Sequence, residues 1–262
     1  MNLFSAKSKH TVIGMLHLPP LPGSPQYAGD WKKDLQKVLD DAKALTEGGV
    51  HALMMENFGD VPFFPGRVPS DVVALMTAIA CDVKRASPLP LGINVLRNDG
   101  LSALSIALAA EASFIRVNVL SGARVTDQGV IQGIAHELLR SRSSLAAGHI
   151  KILADVDVKH SAPLAPRPVE DEVEDTVKRG LADAVIVSGA GTGKGVDPAK
   201  LAKIAKAALG VPVLLGSGVT ESNIAQLKEL ATGFIVGTSL KFDGDVRKPV
   251  DVARVRRLVA AL

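Results

Sequence analysis

Residues 211–241, VPVLLGSGVTESNIAQLKELATGFIVGTSLK, contain the pattern that decides the fold. Two short apolar runs, Val211–Leu215 and Phe234–Gly237, flank a segment with helical spacing, Glu221–Ala231. Apolar runs of this length are typical of strands in a parallel sheet, because helices cover both faces of such a sheet. The stretch therefore predicts a strand, its crossover helix and the next parallel strand.

The same unit recurs along the chain. Eight alternating units in 262 residues predict a closed (β/α)8 TIM barrel that forms one domain over residues 1–262. An open doubly wound sheet is the alternative, but it usually has fewer strands at this length. The eight predicted strands are Val12–His17, Ala52–Glu56, Leu91–Val95, Phe114–Val119, Ile150–Val156, Ala184–Ser188, Val211–Leu215 and Phe234–Gly237.

Turn and capping residues predict where the helices begin and end. Gly48 and Gly49 are expected to end the first helix, Ser70 to cap the second, and Pro198 to open the helix that follows the sixth strand. The connections that follow the strands are long and polar, whereas those that return to the next strand are short. In a barrel of this kind the long loops carry the functional site.

The composition excludes several classes of function. The chain is 47% hydrophobic, and its net charge of +3 comes from interspersed acidic and basic residues, so we expect no nucleic-acid partner. Arg254 and Arg257 are expected to lie on a solvated helix face, and Cys81, the single cysteine, is expected to act as a small hydrophobic residue. No apolar run is long enough for a membrane span or a signal peptide, so a cytoplasmic location is expected.

Almost every predicted strand ends in a polar residue or a glycine. If these ends converge on one rim, they form a polar pocket over an apolar barrel; the alternative is that polarity simply resumes where a strand ends. The residues at these ends are His17, Glu56, Asn94, Asn118, Asp155, Asp157, Ser188, Gly216, Ser217, Gly237 and Thr238.

The ends of the last two strands predict a phosphate site. Glycines allow backbone N–H groups to approach an anion, and a short helix after strand eight would add further donors. This pair of loops resembles the phosphate site of ribulose-phosphate-binding barrels; the alternative is two glycine turns chosen for tight geometry. The predicted phosphate-binding residues are Gly216, Ser217, Gly218, Gly237 and Thr238, and the predicted partner is a phosphorylated small molecule.

The glycine-rich loop 188–195 does not have P-loop spacing, because Lys194 is followed by Gly195 rather than by serine or threonine. We interpret it as a lid from which Thr192 or Lys194 reaches a phosphate or a sugar hydroxyl. A loop that is only mobile is the alternative interpretation.

Glu56 and Asp155 are the candidate general acid and base, with His17 as a third candidate. We expect only one of the neighbouring carboxylates Asp155 and Asp157 to face into the barrel. The alternatives are that the carboxylates pair with a nearby cation and that His17 is an ordinary hydrogen-bonded histidine. The cations available for such pairing are Arg97, Arg116 and Lys159.

Several other polar residues are predicted to bind substrate. Asp155, Asp157 and His160 at one mouth could also hold a metal, but the chain has no zinc-type ligand spacing. No cofactor is identified, and a divalent metal such as Mg²⁺ is left open. The predicted substrate-binding residues are Asn94, Arg97, Asn118, Asp157, Lys159 and Ser188.

The chain resembles the BtpA/SgcQ family nearly from end to end, and five segments carry the resemblance. The matching segments are Ile13–Pro25, Glu56–Phe63, Gly92–Asp99, Ile115–Val119 and Ala154–His160. The resemblance implies a barrel like the ribulose-phosphate-binding barrels. It links some members to photosystem I biogenesis and others to sugar uptake. Asp157 departs from the histidine expected in many relatives, which argues against a metal at that loop.

Together these observations predict an enzyme that acts on a phosphorylated sugar or nucleotide-like molecule by isomerisation, lyase or glycosidic cleavage chemistry. The alternative is a non-enzymatic assembly or regulatory factor on a barrel scaffold, as the link to photosystem I biogenesis implies. The sequence also allows a homo-oligomer, without indicating an interface.

Overall fold

The computed structural model describes residues 10–189 and 196–262. Eight parallel strands close into a barrel in the order β1-β2-β3-β4-β7-β9-β10-β11, with β11 beside β1, so the predicted (β/α)8 TIM barrel is confirmed. The strands are β1 Thr11–His17, β2 Ala52–Glu56, β3 Leu91–Asn94, β4 Phe114–Val117, β5 Ala123–Thr126, β6 Gly129–Gln132, β7 Lys151–Val156, β8 Ser161–Pro163, β9 Ala184–Val187, β10 Val213–Leu215 and β11 Gly233–Val236.

Helices follow the strands of the barrel. A π-helical turn, Asp175–Arg179, continues the fifth helix, and short 3-10 turns at Thr238–Leu240 and Phe242–Gly244 precede the last one. The helices are α1 Trp31–Gly48, α2 Ser70–Ala86, α3 Gly100–Ala109, α4 Ala135–Ser144, α5 Val169–Glu174, α6 Pro198–Ala207, α7 Ile224–Leu227 and α8 Val252–Ala260.

The predicted helix boundaries at Gly49 and Pro198 are confirmed, whereas the predictions for Ser70 and for Glu221–Ala231 are wrong. Gly49 ends α1 in the left-handed conformation with φ 93°, as expected of a C-cap glycine. Ser70 is not a cap but the first residue of α2, which begins after Pro69 without a side-chain cap. The helix predicted over Glu221–Ala231 is only the single turn α7, because the Asn223 side chain folds the preceding loop by accepting from the Thr220 N–H at 2.8 Å.

Alternate residues of the strands point into the barrel and fill it with apolar side chains. Phe114 is fully buried there and lies against Gly92, where an added Cβ would be 2.0 Å from the phenyl ring. The interior is therefore packed below the strand ends, and open space begins only at the carboxyl rim. The interior apolar residues are Ile13, Met15, Ala52, Met54, Phe114, Leu153, Ala184, Ile186, Leu214 and Ile235.

A three-stranded antiparallel sheet, in the order β6-β5-β8, lies outside the barrel and was not predicted. Its strands come from the segments that follow β4 and β7, so it joins two neighbouring loops on the carboxyl side. A small apolar cluster, Val119, Ile131 and Val158, packs beneath it. The sheet was missed because its strands are only three or four residues long and mix polar with apolar residues.

None of the helices in the described ranges is both long enough and apolar enough to cross a membrane.

Candidate functional site

Neighbouring strands carry the first part of the candidate site in one row. The strand registers pair His17 with Glu56, Glu56 with Asn94, and Asn94 with Arg116. Each of these residues follows an interior position by two, and residues two apart on a strand share a face. The row therefore faces into the barrel, directly above the apolar interior.

The remaining barrel strands continue this rim. Asp155, Ser188, Gly216 and Gly237 follow the interior residues Leu153, Ile186, Leu214 and Ile235 by two positions. A Cβ added to Gly216 would meet Ile186, and one added to Gly237 would meet His17, so both glycines face inward. The predicted convergence of the strand ends on one rim is thus what the structure shows.

A cavity of about 390 Å³ opens above part of this rim. One side is formed by loops that follow β10 and β11, and the other side by charged and aromatic side chains from β1, β2, β4 and the loop after β7. The loop side consists of Gly216, Ser217, Gly218, Val219, Thr220, Gly237, Thr238, Ser239 and Arg254. The opposite side consists of His17, Glu56, Phe58, Arg116 and Lys159, and further lining residues are Met15, Ile235, Val236 and Gly244.

The loop side offers backbone donors to a ligand. In the described part of the chain, the backbone N–H groups of Gly218, Val219, Thr238 and Ser239 donate no backbone hydrogen bond. Successive N–H groups left free in a turn form a concave site for an anion. All five predicted phosphate-binding residues line this cavity.

Arg254 adds a positive charge to the same side, and sequence reasoning missed it. We expected it on a solvated helix face, but it lines the cavity from the first turn of α8, and its Nη1 lies 3.3 Å from the Ser239 carbonyl oxygen. Arg257, one turn later, does lie outside and pairs with Glu221 at 2.9 Å. The sequence does not distinguish Arg254 from Arg257, because both belong to the same basic segment. Only the contact with Ser239 in the loop after β11 places Arg254 at the cavity.

Arg116 is the centre of the buried charges. Its Nε and Nη2 donate to the two carboxylate oxygens of Asp155 at 2.8 and 2.9 Å. Burial disfavours its charged form, but the charge of Asp155 and the hydrogen bonds to it outweigh burial, so the pKa of Arg116 is raised. The pairing that we had kept as an alternative is therefore what the structure shows for Asp155.

Asp155 does not line the cavity. Its side chain is fully buried, and it also accepts hydrogen bonds from Asn118 Nδ2 at 3.0 Å and from Ser188 Oγ at 3.2 Å. Four donors thus occupy the two carboxylate oxygens. This arrangement fits a residue that fixes Arg116 rather than one that takes a proton from a ligand.

Glu56 is different, because it does line the cavity. Its carboxylate lies 3.7 Å from Arg116 Nη1, and the residue is 6% exposed. Within the described ranges, Glu56 is the only aspartate or glutamate that lines this cavity. It is therefore the carboxylate that can reach a bound ligand.

Lys159 brings an ammonium group to the same space. Burial, followed by the positive charge of Arg116, lowers the pKa of Lys159. Lys159 forms no ion pair with any residue of the described ranges. Arg97 holds it in place from behind, since Arg97 Nη2 donates to the Lys159 carbonyl oxygen at 2.7 Å.

His17 forms the corner of the cavity. Its ring lies 4.7 Å from that of Phe58, centroid to centroid, and packs against Gly237. Burial, followed by the charges of Lys241, Lys159 and Arg116, lowers the pKa of His17 to about 3. The imidazole is therefore neutral near pH 7, and its buried Nδ1 has no hydrogen-bond partner among the residues described.

Asn94, Asn118, Ser188 and Arg97, which we predicted to bind substrate, do not line the cavity. Asn94 Nδ2 donates to the Asn118 side chain and to the Arg116 carbonyl, both at 3.2 Å. These residues support the buried charges and the backbone of the rim. The sequence indicates that these residues lie near the carboxyl rim, but it does not distinguish residues that line the cavity from residues buried behind the lining.

Asp157, which we predicted to bind substrate, does not line the cavity. It forms ion pairs with Arg124 and Lys200, and its backbone N–H donates to Glu172 at 2.9 Å. Strand alternation does not explain why Asp155 alone faces inward, since residues two apart share a face. The reason is that β7 ends at Val156, and Asp157, with φ 49°, turns outward.

Two further expectations concern the predicted lid and a possible metal site. Thr192 and Lys194 of the predicted lid lie outside the described residues. Within residues 10–189 and 196–262, no group of three histidine, cysteine, aspartate or glutamate side chains is placed to hold a metal ion. A divalent metal such as Mg²⁺ stays an open alternative.

Residues 8–262 match the model of the BtpA family. An uncharacterized protein of Thermococcus kodakarensis is 52% identical over 248 residues, which cover 95% of this chain and 93% of that protein. The photosystem I biogenesis protein BtpA of Synechocystis sp. is 45% identical over 263 residues, which cover 100% of this chain and 91% of that protein.

Solved structures share the fold at low sequence identity. Phosphoribosyl anthranilate isomerase from Thermus thermophilus aligns with a TM-score of 0.56 at 13% identity, over 96% of this chain and 97% of that one. The (S)-3-O-geranylgeranylglyceryl phosphate synthase from Thermoplasma acidophilum, in complex with sn-glycerol-1-phosphate, aligns with a TM-score of 0.60 at 15% identity, over 97% of this chain and 93% of that one. At these identities the likeness shows the barrel alone. The family match and the two close relatives together establish that this chain belongs to the BtpA family.

Proposed function

We propose that this protein is an enzyme that binds a phosphorylated sugar or nucleotide-like small molecule and transfers a proton within it at Glu56. The observation that carries the proposal is one cavity that has free backbone donors and Arg254 on one side, and Glu56 with Lys159 on the other. A phosphate on the loop side would leave the rest of a small ligand beside the carboxylate.

The charges favour an anion. Around the cavity, Arg116, Lys159 and Arg254 are positive, while Glu56 is the one acidic side chain in its described lining. A ligand phosphate would accept charge-assisted hydrogen bonds from Arg254 and bonds from the backbone N–H groups of Gly218 and Thr238. One solved neighbour is a phosphoribosyl anthranilate isomerase and another is in complex with sn-glycerol-1-phosphate, which supports the same ligand class here.

The geometry favours isomerase or lyase chemistry over glycosidic cleavage. Glycosidic cleavage usually uses two carboxylates that flank the reacting bond. Here Asp155 is engaged with Arg116 and does not line the cavity, so Glu56 is the one carboxylate of the described lining that can exchange a proton with the ligand. The Lys159 ammonium and the neutral His17 imidazole can donate hydrogen bonds to an oxygen that gains negative charge in such a proton transfer.

A thermal-shift screen tests the ligand class. Pentose phosphates, nucleoside monophosphates and inorganic phosphate would be screened, each with and without Mg²⁺. A ligand present at 100 times its dissociation constant stabilises the protein by about 2.7 kcal/mol, which raises the melting temperature measurably. The expected hit is abolished by Ser217→Asp, which places a negative charge on the phosphate loop.

Ser222→Asp is the matched control, because Ser222 lies in the same loop segment outside the cavity and is exposed. It should leave the melting-temperature shift unchanged. A flat screen with folded protein would contradict the proposal, and so would a hit that both variants retain.

A second candidate is a role in assembly, which is favoured by the 45% identity to the photosystem I biogenesis protein BtpA of Synechocystis sp.. Such a role requires a stable macromolecular partner whose binding does not depend on a metabolite. Pull-down with the full chain, with and without the best phosphorylated compound, would distinguish the two. A cytoplasmic location and a homo-oligomer stay predictions.

A further inference from the structure

A second cavity, of about 590 Å³, adjoins the first. His17 and Phe58 line both cavities, so their two rings form a common wall. The second cavity lies between the loop after β1, the helix α1 and the segment that connects β11 to α8. The proposed phosphate chemistry makes no use of it.

The walls of the second cavity are largely apolar. The apolar lining residues are Leu18, Pro19, Pro20, Val38, Phe58, Val61, Val246 and Pro249. The charged side chains among its lining are already engaged with residues of this chain. The pairs are Lys37 with Asp34 at 2.8 Å, Lys241 with Asp41 at 2.5 Å, Arg247 with Asp245 at 2.9 Å and Lys248 with Asp243 at 2.5 Å, and Asp40 accepts from Gln36 at 2.9 Å.

The loop that forms the near wall is braced. A Cβ added to Gly59 would lie 2.3 Å from the backbone nitrogen of Pro20, so the loops after β1 and β2 pack backbone to backbone. The Asp60 carboxylate accepts from the Leu21 N–H at 2.8 Å, and the Gly59 N–H donates to the Leu18 carbonyl at 3.0 Å. A shaped apolar wall of this kind is preorganised to bind a rigid apolar group.

We propose that the second cavity binds an uncharged, largely apolar ring carried by the same phosphorylated ligand at the end opposite to its phosphate. This inference rests on the proposed function, because it places the phosphate on the loops after β10 and β11. The ligand would then cross the His17–Phe58 wall, and its central atoms would lie beside Glu56. The substrate class is therefore a sugar phosphate that bears a ring substituent, rather than a bare sugar phosphate.

The wall itself supports a ligand that crosses it. Phe58 and His17 line both spaces, with their ring centroids 4.7 Å apart, and His17 is neutral near pH 7, so neither side chain of this wall presents a charge to an apolar group. A free anion would find no unpaired cation among the described lining of the second cavity. The first cavity, with Arg254 and the backbone donors, therefore fits the phosphate, and the second fits the ring.

The test compares two ligands by isothermal titration calorimetry on the full chain. They are D-ribose 5-phosphate and its 1-O-phenyl glycoside, which share the phosphate and sugar and differ in the ring. We expect the phenyl compound to bind at least about tenfold more tightly, because the ring leaves water. Val61→Trp, which fills the second cavity from its exposed edge, should remove that advantage and retain the binding of ribose 5-phosphate.

Val130→Trp is the matched control. Val130 is exposed on the outer sheet, away from both cavities, so the same enlargement there should change neither affinity. Equal affinities for both compounds, both lost in Ser217→Asp, would overturn the second site and leave the phosphate site standing. Binding of neither compound to folded protein would overturn the proposed function. Saturable binding of free phenol in the presence of ribose 5-phosphate, with no gain for the joined compound, would overturn a single ligand in favour of two.

Discussion

Arg116 holds both carboxylate oxygens of Asp155, with N–O distances of 2.8 and 2.9 Å, at a depth where neither side chain is more than 3% exposed. Two opposite charges removed from water in this way are costly to separate, although the pair as a whole adds little net stability. The pair places a fixed guanidinium beneath the cavity, where it also faces Glu56.

Asp155→Leu should therefore be strongly destabilising, by about 3–5 kcal/mol, because it leaves Arg116 buried without its partner. The double variant with Arg116→Leu should recover part of that loss, since no unpaired charge remains. Urea unfolding of the two single variants and the double variant measures the coupling. If the losses simply add, Arg116 and Asp155 are not coupled as described.

Glu56→Gln should lower turnover by about 10²–10⁴-fold, the usual loss when a general acid or base is removed. The binding of the phosphorylated ligand should change little, because Glu56 lies on the side of the cavity opposite to the phosphate loops. The rate constant and the calorimetric dissociation constant would be measured on the same preparation. Unchanged turnover would exclude Glu56 as the proton-transfer residue.

Arg254→Gln should weaken binding of a phosphorylated ligand by roughly tenfold or more, because a charge-assisted hydrogen bond contributes about 1.5–3 kcal/mol. Arg257→Gln is its control on the same helix, since Arg257 pairs with Glu221 outside the cavity and should leave affinity unchanged. The loss for Arg254 should shrink as salt is added. Equal effects of the two substitutions would show that only the overall charge matters.

The pH dependence of stability should report the buried His17. Its pKa in the folded protein, about 3, lies below its ordinary value of 6.5, so the unfolded chain binds more protons between these limits. Stability from this group is thus present above pH 6.5 and is lost as the pH falls toward 3, by about 1.4 kcal/mol per pH unit. Unfolding free energies at pH 7, 6 and 5 should fall more steeply for the natural protein than for His17→Gln, and parallel curves would contradict a buried neutral His17.

Gly237→Ala should disturb the site through His17. The added Cβ would lie 2.5 Å from His17 Cε1, so the ring or the loop must move, at a cost of about 1–3 kcal/mol. Ligand affinity should fall together with stability, because Gly237 also lines the side of the cavity that is proposed to hold the phosphate. Gly148→Ala, where an added Cβ meets nothing within 4 Å, is the comparison for the effect of the methyl group itself. Equal changes in stability and ligand affinity for the two variants would contradict the close approach of Gly237 to His17.

The barrel was predictable because its strands are apolar on both faces and its connections are asymmetric. The strand ends were predictable too, since Glu56, Asn94 and Asn118 interrupt apolar runs without a turn residue beside them. Arg116 was underestimated because a cation inside a strand was considered only as a partner for acids, and Arg254 because a basic helix face usually lies in water. Asp157 shows the limit most clearly: its role depends on φ 49° at one residue and on Arg124 and Lys200 from distant segments, which no local pattern contains.

The packed apolar interior ends where the strands reach the carboxyl rim, so inward-facing residues of one strand have different environments. Met54 and Glu56 point the same way on one strand, two positions apart, yet one is embedded in that interior and the other meets the ligand space. Glu56 can therefore be replaced without changing the packed interior, whereas a smaller residue in place of Met54 would leave a gap in it. On this strand, the residue that lines the cavity and the residue that packs the interior are only two positions apart.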